Sequence, residues 1–266
     1  MKRTRFEPRA SPAVRQGMAQ ERSALGNVAA RKAGGSKGAL KPRAARGGRG
    51  DGKETGMTYR ERPLKEYLNH AAAAQPTPGG GNVAAVAGAL ASTMASMAAG
   101  FTSGREKFKA VQAEIDEALT RLAETRNRLL DLADEDMKAY EAIMAAYRLP
   151  KGGDAEKAAR DEAVRRATKN SLGVVESVLG GCRDILVITL RLAGIANPNL
   201  ISDVGVAGEL AHGAARAAFL NVEVNLAGYK DAADAKAVRE RVEEMMRQVE
   251  QAAKEIRSAV LAALRE

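Results

Sequence analysis

Residues 105–147 read REKFKAVQAEIDEALTRLAETRNRLLDLADEDMKAYEAIMAAY, a stretch with neither glycine nor proline. Nothing in it breaks a helix, and at roughly 1.5 Å per residue it predicts a rod of about 60 Å. Leu122, Leu129, Leu132, Asp136, Tyr140, Ile143 and Tyr147 recur along it at steps of seven, three, four, four, three and four, which is one face of a helix. A helix of that length must lay this face against other helices, so the stretch sets the fold class.

The flanking sequence follows the same pattern. Leu64, Tyr67 and Leu68 make a short apolar face that ends in the alanines 71–74, and Gln75-Pro76-Thr77-Pro78-Gly79-Gly80-Gly81 stops it. Asn82 is placed to cap the next helix, expected to run to about Gly100. Downstream, Leu149-Pro150-Lys151-Gly152-Gly153 breaks the long rod and Asp154 caps another long helix, with bends expected near Gly173 or Gly180-Gly181. Asn197-Pro198-Asn199 is the next break. Ser202 or Asp203 caps a helix reaching about Leu226, Gly228 closes it, and Asp231 opens the last helix. That helix has heptad-like spacing at Val238, Val242, Met245, Val249 and Ile256. The run Ile185-Leu186-Val187-Ile188 sits in a helical frame and reads as buried helix. The expectation is an all-α bundle of about six helices.

Composition fits this picture. Aromatic residues are 3% of the chain and Trp is absent, so the core has to come from Ala, Leu, Val, Ile and Met in close interhelical contact. The net charge of +9 is uneven: residues 1–56 carry 14 Lys/Arg against 4 Asp/Glu, the remainder 28 against 29. That basic segment, with 10 glycines and few large apolar residues, reads as a disordered extension, and residues 57–266 read as the folded domain. Met57 is a candidate translation start. Arg46-Gly47-Gly48-Arg49 could touch RNA, against the plainer reading of a solvated tail. One cysteine, Cys182, excludes a disulfide framework within the chain; its expected role is a small buried residue. Two histidines are too few for a multi-histidine metal site, and no metal is expected. No uninterrupted apolar run of about 18 residues and no secretory leader are seen, so no membrane span is expected and the cytoplasm is the default.

Several polar residues break the pattern. Asp136 lies on the apolar stripe, where desolvation raises a carboxyl pKa and suits proton transfer; the alternative is a buried carboxylate paired with Lys or Arg. Ala207, Ala211, Ala214, Ala218, Asn221 and Asn225 share one face, and the asparagines either bond across a close helix pair or read an amide-rich ligand. Gly79, Gly80 and Gly81 precede a helix start whose N–H groups could hold a carboxylate or phosphate, or are simply a turn. Thr102-Ser103-Gly104-Arg105-Glu106-Lys107 is a second polar junction, with two cations.

Taken together these stretches resemble the formiminotetrahydrofolate cyclodeaminase / methenyltetrahydrofolate cyclohydrolase family. The carrying residues are Pro76 to Ala85, Thr102 to Phe108, Glu135 to Tyr140, Leu149-Pro150-Lys151, Asn197 to Ala207 and Asn221 to Leu226, six stretches in the family's order. The chain departs from the family pattern at Val174-Val175-Glu176, where Val-Pro-Leu is common, at Ala196-Asn197 in place of Gly-Asn, and at Asn82 in place of a serine. The resemblance implies an all-α domain that dimerises, with a folate site in a cleft near the subunit interface. It implies Asp136 as proton donor/acceptor. Gly79, Gly80, Gly81, Arg105, Lys107, Lys151, Asn199, Asp203, Asn221 and Asn225 become candidates for binding or shaping the site.

The implied reaction is hydrolysis of 5,10-methenyltetrahydrofolate to 10-formyltetrahydrofolate, with no cofactor beyond the tetrahydrofolate substrate. The alternative is cyclisation of 5-formiminotetrahydrofolate with release of ammonia. The formiminotransferase domain often fused to cyclodeaminases is not in this sequence, which favours the cyclohydrolase. A rival of another class is a non-catalytic helical adaptor with an RNA-binding basic tail.

Overall fold

The computed structural model describes residues 58–265. The expectations of a disordered tail over residues 1–56, an RNA contact at Arg46–Arg49 and a start at Met57 lie outside the described residues. Six α-helices are present: α1 (Leu64–Ala72), α2 (Gly80–Gly100), α3 (Gln112–Arg148), α4 (Asp154–Ile195), α5 (Ile201–Ala227) and α6 (Ala232–Ala263). Short 3-10 turns cover Tyr59–Glu61, Glu106–Val111 and Pro198–Leu200, and the described residues contain no strand.

Helices that follow one another run antiparallel, because the connections between them are short. Ser92 on α2 donates to the Leu122 carbonyl of α3, Arg191 on α4 pairs with Glu114 of α3, and Arg257 on α6 pairs with Glu209 of α5. The central helix α2 packs against α3, α4 and α5, and α6 closes the bundle on α4 and α5. The heptad row of α6 is spent in this packing: Val238, Val242, Val249 and Ile256 are buried. That row is therefore not left free to form a coiled coil with another chain.

The core divides by size. From α3 and α4 come Ile115, Leu122, Leu129, Leu132, Leu179, Ile185 and Leu186, all buried. From α2 come almost only alanines, Ala84, Ala85, Ala89, Ala91, Ala95, Ala98 and Ala99. Small residues are required because the helices approach so closely: a Cβ on Gly88 would stand 2.9 Å from Sγ of Cys182. Cys182 is itself buried, and burial pushes its thiol pKa up to about 12, so it stays an uncharged packing residue.

Several local expectations are corrected. The rod expected over 105–147 begins as the 3-10 turn Glu106–Val111, and the α-helix starts at Gln112. Gly104 has a φ of +71° and its N–H donates to Gln112 Oε1 at 2.8 Å, so the junction folds back on the first α-helical residue. Asn82 is not a cap. Gly79 holds that position, and Asn82 lies inside the first turn with its amide committed to neighbouring helices. Asn197, not Ser202 or Asp203, supplies the capping side chain at the entry to α5, accepting from the Asn199 N–H in the preceding 3-10 turn. Helix α4 has Gly153 at its N-cap, with Asp154 as its first residue and not its cap, and it runs unbroken through Gly173 and Gly180-Gly181. Helix α2 is long and apolar enough to cross a membrane by length and composition, with a mean hydropathy of 1.5 over its best window. Half of that window is buried inside the bundle.

Candidate functional site

At one end of the bundle the first turn of α2 meets α3 and α5. Gly79 is the N-cap, in extended backbone with φ −104° and ψ −169°. A Cβ built on Gly80 would stand 3.1 Å from both Nδ2 and Oδ1 of Asn221; one built on Gly81 would stand 2.3 Å from Oδ1 of Asp136. The lack of side chains at these two positions lets a helix start approach a carboxylate and an amide on two other helices.

Asp136 sits where the apolar stripe of α3 leaves the core. Leu122, Leu129 and Leu132 before it are buried, Asp136 and Tyr140 are half-buried, and Tyr147 is exposed. Oδ2 of Asp136 accepts the Asn82 backbone N–H at 3.0 Å, while Oδ1, towards Gly81, has no hydrogen-bond partner among the described residues. Burial raises the pKa of Asp136 above the usual 3.8, and the Asn82 amide offsets this only in part. No Lys or Arg pairs with it among the described residues, so the paired-carboxylate alternative does not describe this side chain. Its neighbour Glu135 does pair with a cation, Arg128, but at the surface.

Asn221 donates Nδ2 to its own helix at the Ala217 carbonyl, 2.8 Å, which leaves Oδ1, beside Gly80, without a partner among the described residues. Asn225 crosses to α4, donating Nδ2 to Ser171 Oγ at 3.0 Å, so for this residue the helix-pairing reading holds. Here too a packed stripe ends in polar residues: Ala207, Ala211, Ala214 and Ala218 are buried, and the asparagines follow them outward.

Gly79, Gly80, Gly81, Asp136, Asn221 and Asn225 thus form one cluster. The remaining residues singled out in the sequence lie elsewhere in the chain. Thr102 Oγ1 accepts from the Asn197 backbone N–H at 2.8 Å, tying the far end of α2 to the entry of α5. Arg105, Lys107, Asn199 and Asp203 belong to that end. The 21 residues of α2 put the two ends roughly 30 Å apart. Lys107 lies over the Phe108 ring, with Nζ 5.5 Å from its centre, and Arg105 and Asn199 are exposed. Lys151 is exposed in the connection from α3 to α4, after α3 has run about 18 Å beyond Asp136.

Three residues at the Asp136 end were not read as site residues from the sequence. Tyr67 is the one buried residue of α1, and its hydroxyl donates to Oδ1 of Asn82 at 2.7 Å. Asn82 is fully buried and its Nδ2 donates to the Ala133 carbonyl at 2.8 Å. Asp134 is a second carboxyl whose pKa is raised, chiefly by burial, but it faces the Tyr59 turn, whose backbone it accepts from. An apolar-to-polar count along α1 shows Tyr67; the partners of Asn82 lie too far along the chain, at positions 67 and 133, to show in any local pattern.

Comparison with known proteins gives a consistent result. The profile of the family described as Formiminotransferase-cyclodeaminase matches residues 63–244. The chain is 36% identical over 182 residues to methenyltetrahydrofolate cyclohydrolase of Methylorubrum extorquens, covering 68% of this chain and 86% of that protein. It is 26% identical over 187 residues to formimidoyltransferase-cyclodeaminase of Sus scrofa, covering 70% of this chain and 35% of that longer protein. Among solved structures, formiminotetrahydrofolate cyclodeaminase from Thermotoga maritima superposes with a TM-score of 0.71 at 30% identity, covering 77% of this chain and 98% of that one.

Proposed function

The chain belongs to the formiminotransferase-cyclodeaminase family, and on that premise we propose that residues 57–266 hydrolyse 5,10-methenyltetrahydrofolate to 10-formyltetrahydrofolate, with Asp136 as the proton carrier. It is a folate one-carbon enzyme. The cyclohydrolase reading takes its direction from the similarity to the Methylorubrum protein. The residue assignment rests on one observation: a half-buried carboxylate with a raised pKa, one oxygen held by an amide and the other open beside a side-chain-free helix start.

The chemistry follows from that geometry. Water attacks the bridging carbon and forms a tetrahedral centre between N5 and N10. Oδ1 of Asp136 takes a proton from the attacking water and returns it to N5 as the carbon–N5 bond breaks. The carbon stays on N10 as a formyl group, and one proton is released to solvent. A carboxylate with a raised pKa is suited to both halves of this transfer. Asn221 Oδ1 and the Gly80 and Gly81 N–H groups are placed to read donors and acceptors on the pterin. The same proton carrier would serve the cyclodeaminase reaction, which the fold match to the Thermotoga enzyme favours as the second reading.

We further propose a homodimer. Val83, Leu90 and Met97 on α2, with Phe101 just past its end, are exposed at heptad-like spacing, and so are Val206, Leu210, Leu220 and Val224 on the neighbouring α5. Large exposed apolar rows on adjacent helices call for a covering partner. A two-fold axis across this face would set α2 antiparallel to its copy, bringing the partner's Phe101 towards Val83. The partner's Arg105, Lys107 and Asn199 would then stand near Asp136, where two cations could hold the substrate's glutamate carboxylates. The cytoplasm is the compartment in which we place this enzyme.

The test is an absorbance assay with both compounds in parallel. The cyclohydrolase reading expects loss of the methenyl chromophore faster than in buffer. Appearance of that chromophore from the formimino compound, with no methenyl hydrolysis, would replace it by the cyclodeaminase reading.

A further inference from the structure

Behind Asp136 lies a short chain of buried hydrogen bonds that ends on a tyrosine of the first helix. Tyr67 donates to Asn82 Oδ1 at 2.7 Å, Asn82 Nδ2 donates to the Ala133 carbonyl at 2.8 Å, and Asn82 N donates to Asp136 Oδ2 at 3.0 Å. Ala133 stands one turn before Asp136 on α3. Asn82 therefore grips the turn that carries the carboxylate twice, once through its side chain and once through its backbone. The amide can be satisfied in one orientation only: its oxygen must face the phenol and its NH2 the carbonyl. A phenol donates there at every working pH, since burial, then the neighbouring Tyr59 and then the Asp136 charge push the Tyr67 pKa up to about 12. Tyr59 packs edge-on against the Tyr67 ring, with centroids 5.5 Å apart.

We propose that Tyr67 and Asn82 are positioning residues for the reaction: they hold Asp136 through Oδ2, so that Oδ1 is the atom that carries the proton. The proposal rests on the assignment of Asp136 as proton carrier. Neither residue touches the reacting atoms. Tyr67 acts through Asn82, and Asn82 through Asp136. The arrangement also gives α1 a purpose. It is a nine-residue helix with Leu64 and Leu68 exposed, and Tyr67 is the residue that anchors it on the site.

The experiment compares full-length variants by methenyltetrahydrofolate turnover. Tyr67→Phe removes one hydroxyl and is expected to lower kcat about tenfold with KM within twofold, since loosening the carboxylate by a fraction of an ångström costs rate and not binding. His70→Phe is the control for a merely structural role. It breaks the 2.7 Å bond from His70, one turn along the same helix, to Tyr59 of the preceding 3-10 turn, and should leave kcat unchanged. Asn82→Ser keeps the backbone donor to Asp136 and loses the grip on Ala133; it repeats the comparison if Tyr67→Phe does not fold. Wild-type kcat in folded Tyr67→Phe or Asn82→Ser, or an equal fall in His70→Phe, overturns the proposal. Asp136→Asn separates the two levels. If it turns over like wild type, the assignment of Asp136 fails and the proposal with it. If it is inactive while Tyr67→Phe is normal, the proposal alone fails.

Discussion

Replacing Gly81 with alanine puts a methyl group where a carboxylate oxygen already stands. The new Cβ would lie 2.3 Å from Asp136 Oδ1 and 2.8 Å from its Cγ, against an ordinary contact of 3.4 Å or more. The carboxylate must move by about 1 Å, and its bond to the Asn82 N–H, now 3.0 Å, does not survive that shift. A displacement of this size costs on the order of 100-fold in rate, which is about 2.7 kcal/mol of transition-state stabilisation. Stability should fall by less. Loss of a hydrogen bond to a charged group costs about 1.5–3 kcal/mol, and the glycine-to-alanine change in a helix returns about 1 kcal/mol. The protein should therefore still fold, with a Tm lower by roughly 2–4 °C per kcal/mol of net loss. The neighbours grade the effect. Alanine at Gly80 meets Asn221 at 3.1 Å and needs a few tenths of an ångström, so kcat/KM should fall a few-fold. Alanine at Gly79 meets the Pro76 carbonyl at 3.5 Å, in an extended backbone open to any residue, and should be silent. Methenyltetrahydrofolate turnover and thermal melts on the three variants check this order. Folded Gly81→Ala within twofold of wild-type turnover, or Gly79→Ala as damaged as Gly81→Ala, refutes the reasoning.

Asp136→Asn should lose turnover by about 100-fold or more and melt higher at neutral pH. Its carboxyl pKa is raised on folding, so the ionised form destabilises the native state above the folded pKa. The penalty fades as pH falls through that value towards the unfolded one; melts across the acid range should show the gap from wild type closing. Leu220→Asp, a charge at an exposed position of α5, should convert a dimer into monomers by sedimentation and remove turnover together, whereas an active monomer would contradict the shared site. Cys182→Ser puts a hydroxyl into an apolar contact with Gly88 and Leu129 neighbours and should cost about 1–3 kcal/mol in denaturant melts without changing kcat. The native thiol should resist thiol reagents.

What could be read in the sequence was whatever depends on local spacing. The long α3, the existence of a break before α2, the break at 149–153, the Asp231 cap and the buried heptad of α6 all follow from periodicity and from glycine and proline, although α2 begins at Gly80, inside the stretch 75–81 that reads as the break. So did Asp136, because a carboxylate on an apolar stripe is visible one residue at a time. The asparagines at 221 and 225 were visible as a pair but not in their separate duties, since Ser171 and Gly80 lie far from them along the chain. Asn82 was misread for the same reason. A cap is a local role, and the partners that draw its amide away are on α1 and α3. The apolar rows of α2 and α5 were legible in principle, at Val83, Leu90 and Met97. Among so many alanines they pass as core, and it takes the packed bundle to show that they face outward.

The most direct test of the account is turnover of 5,10-methenyltetrahydrofolate by wild-type protein and Asp136→Asn, with binding of the substrate measured on both. The account predicts chromophore loss well above the buffer rate for wild type, and loss near the buffer rate for Asp136→Asn at unchanged affinity. Equal turnover by the two proteins, or none by a folded, dimeric wild type that binds the substrate, would contradict it.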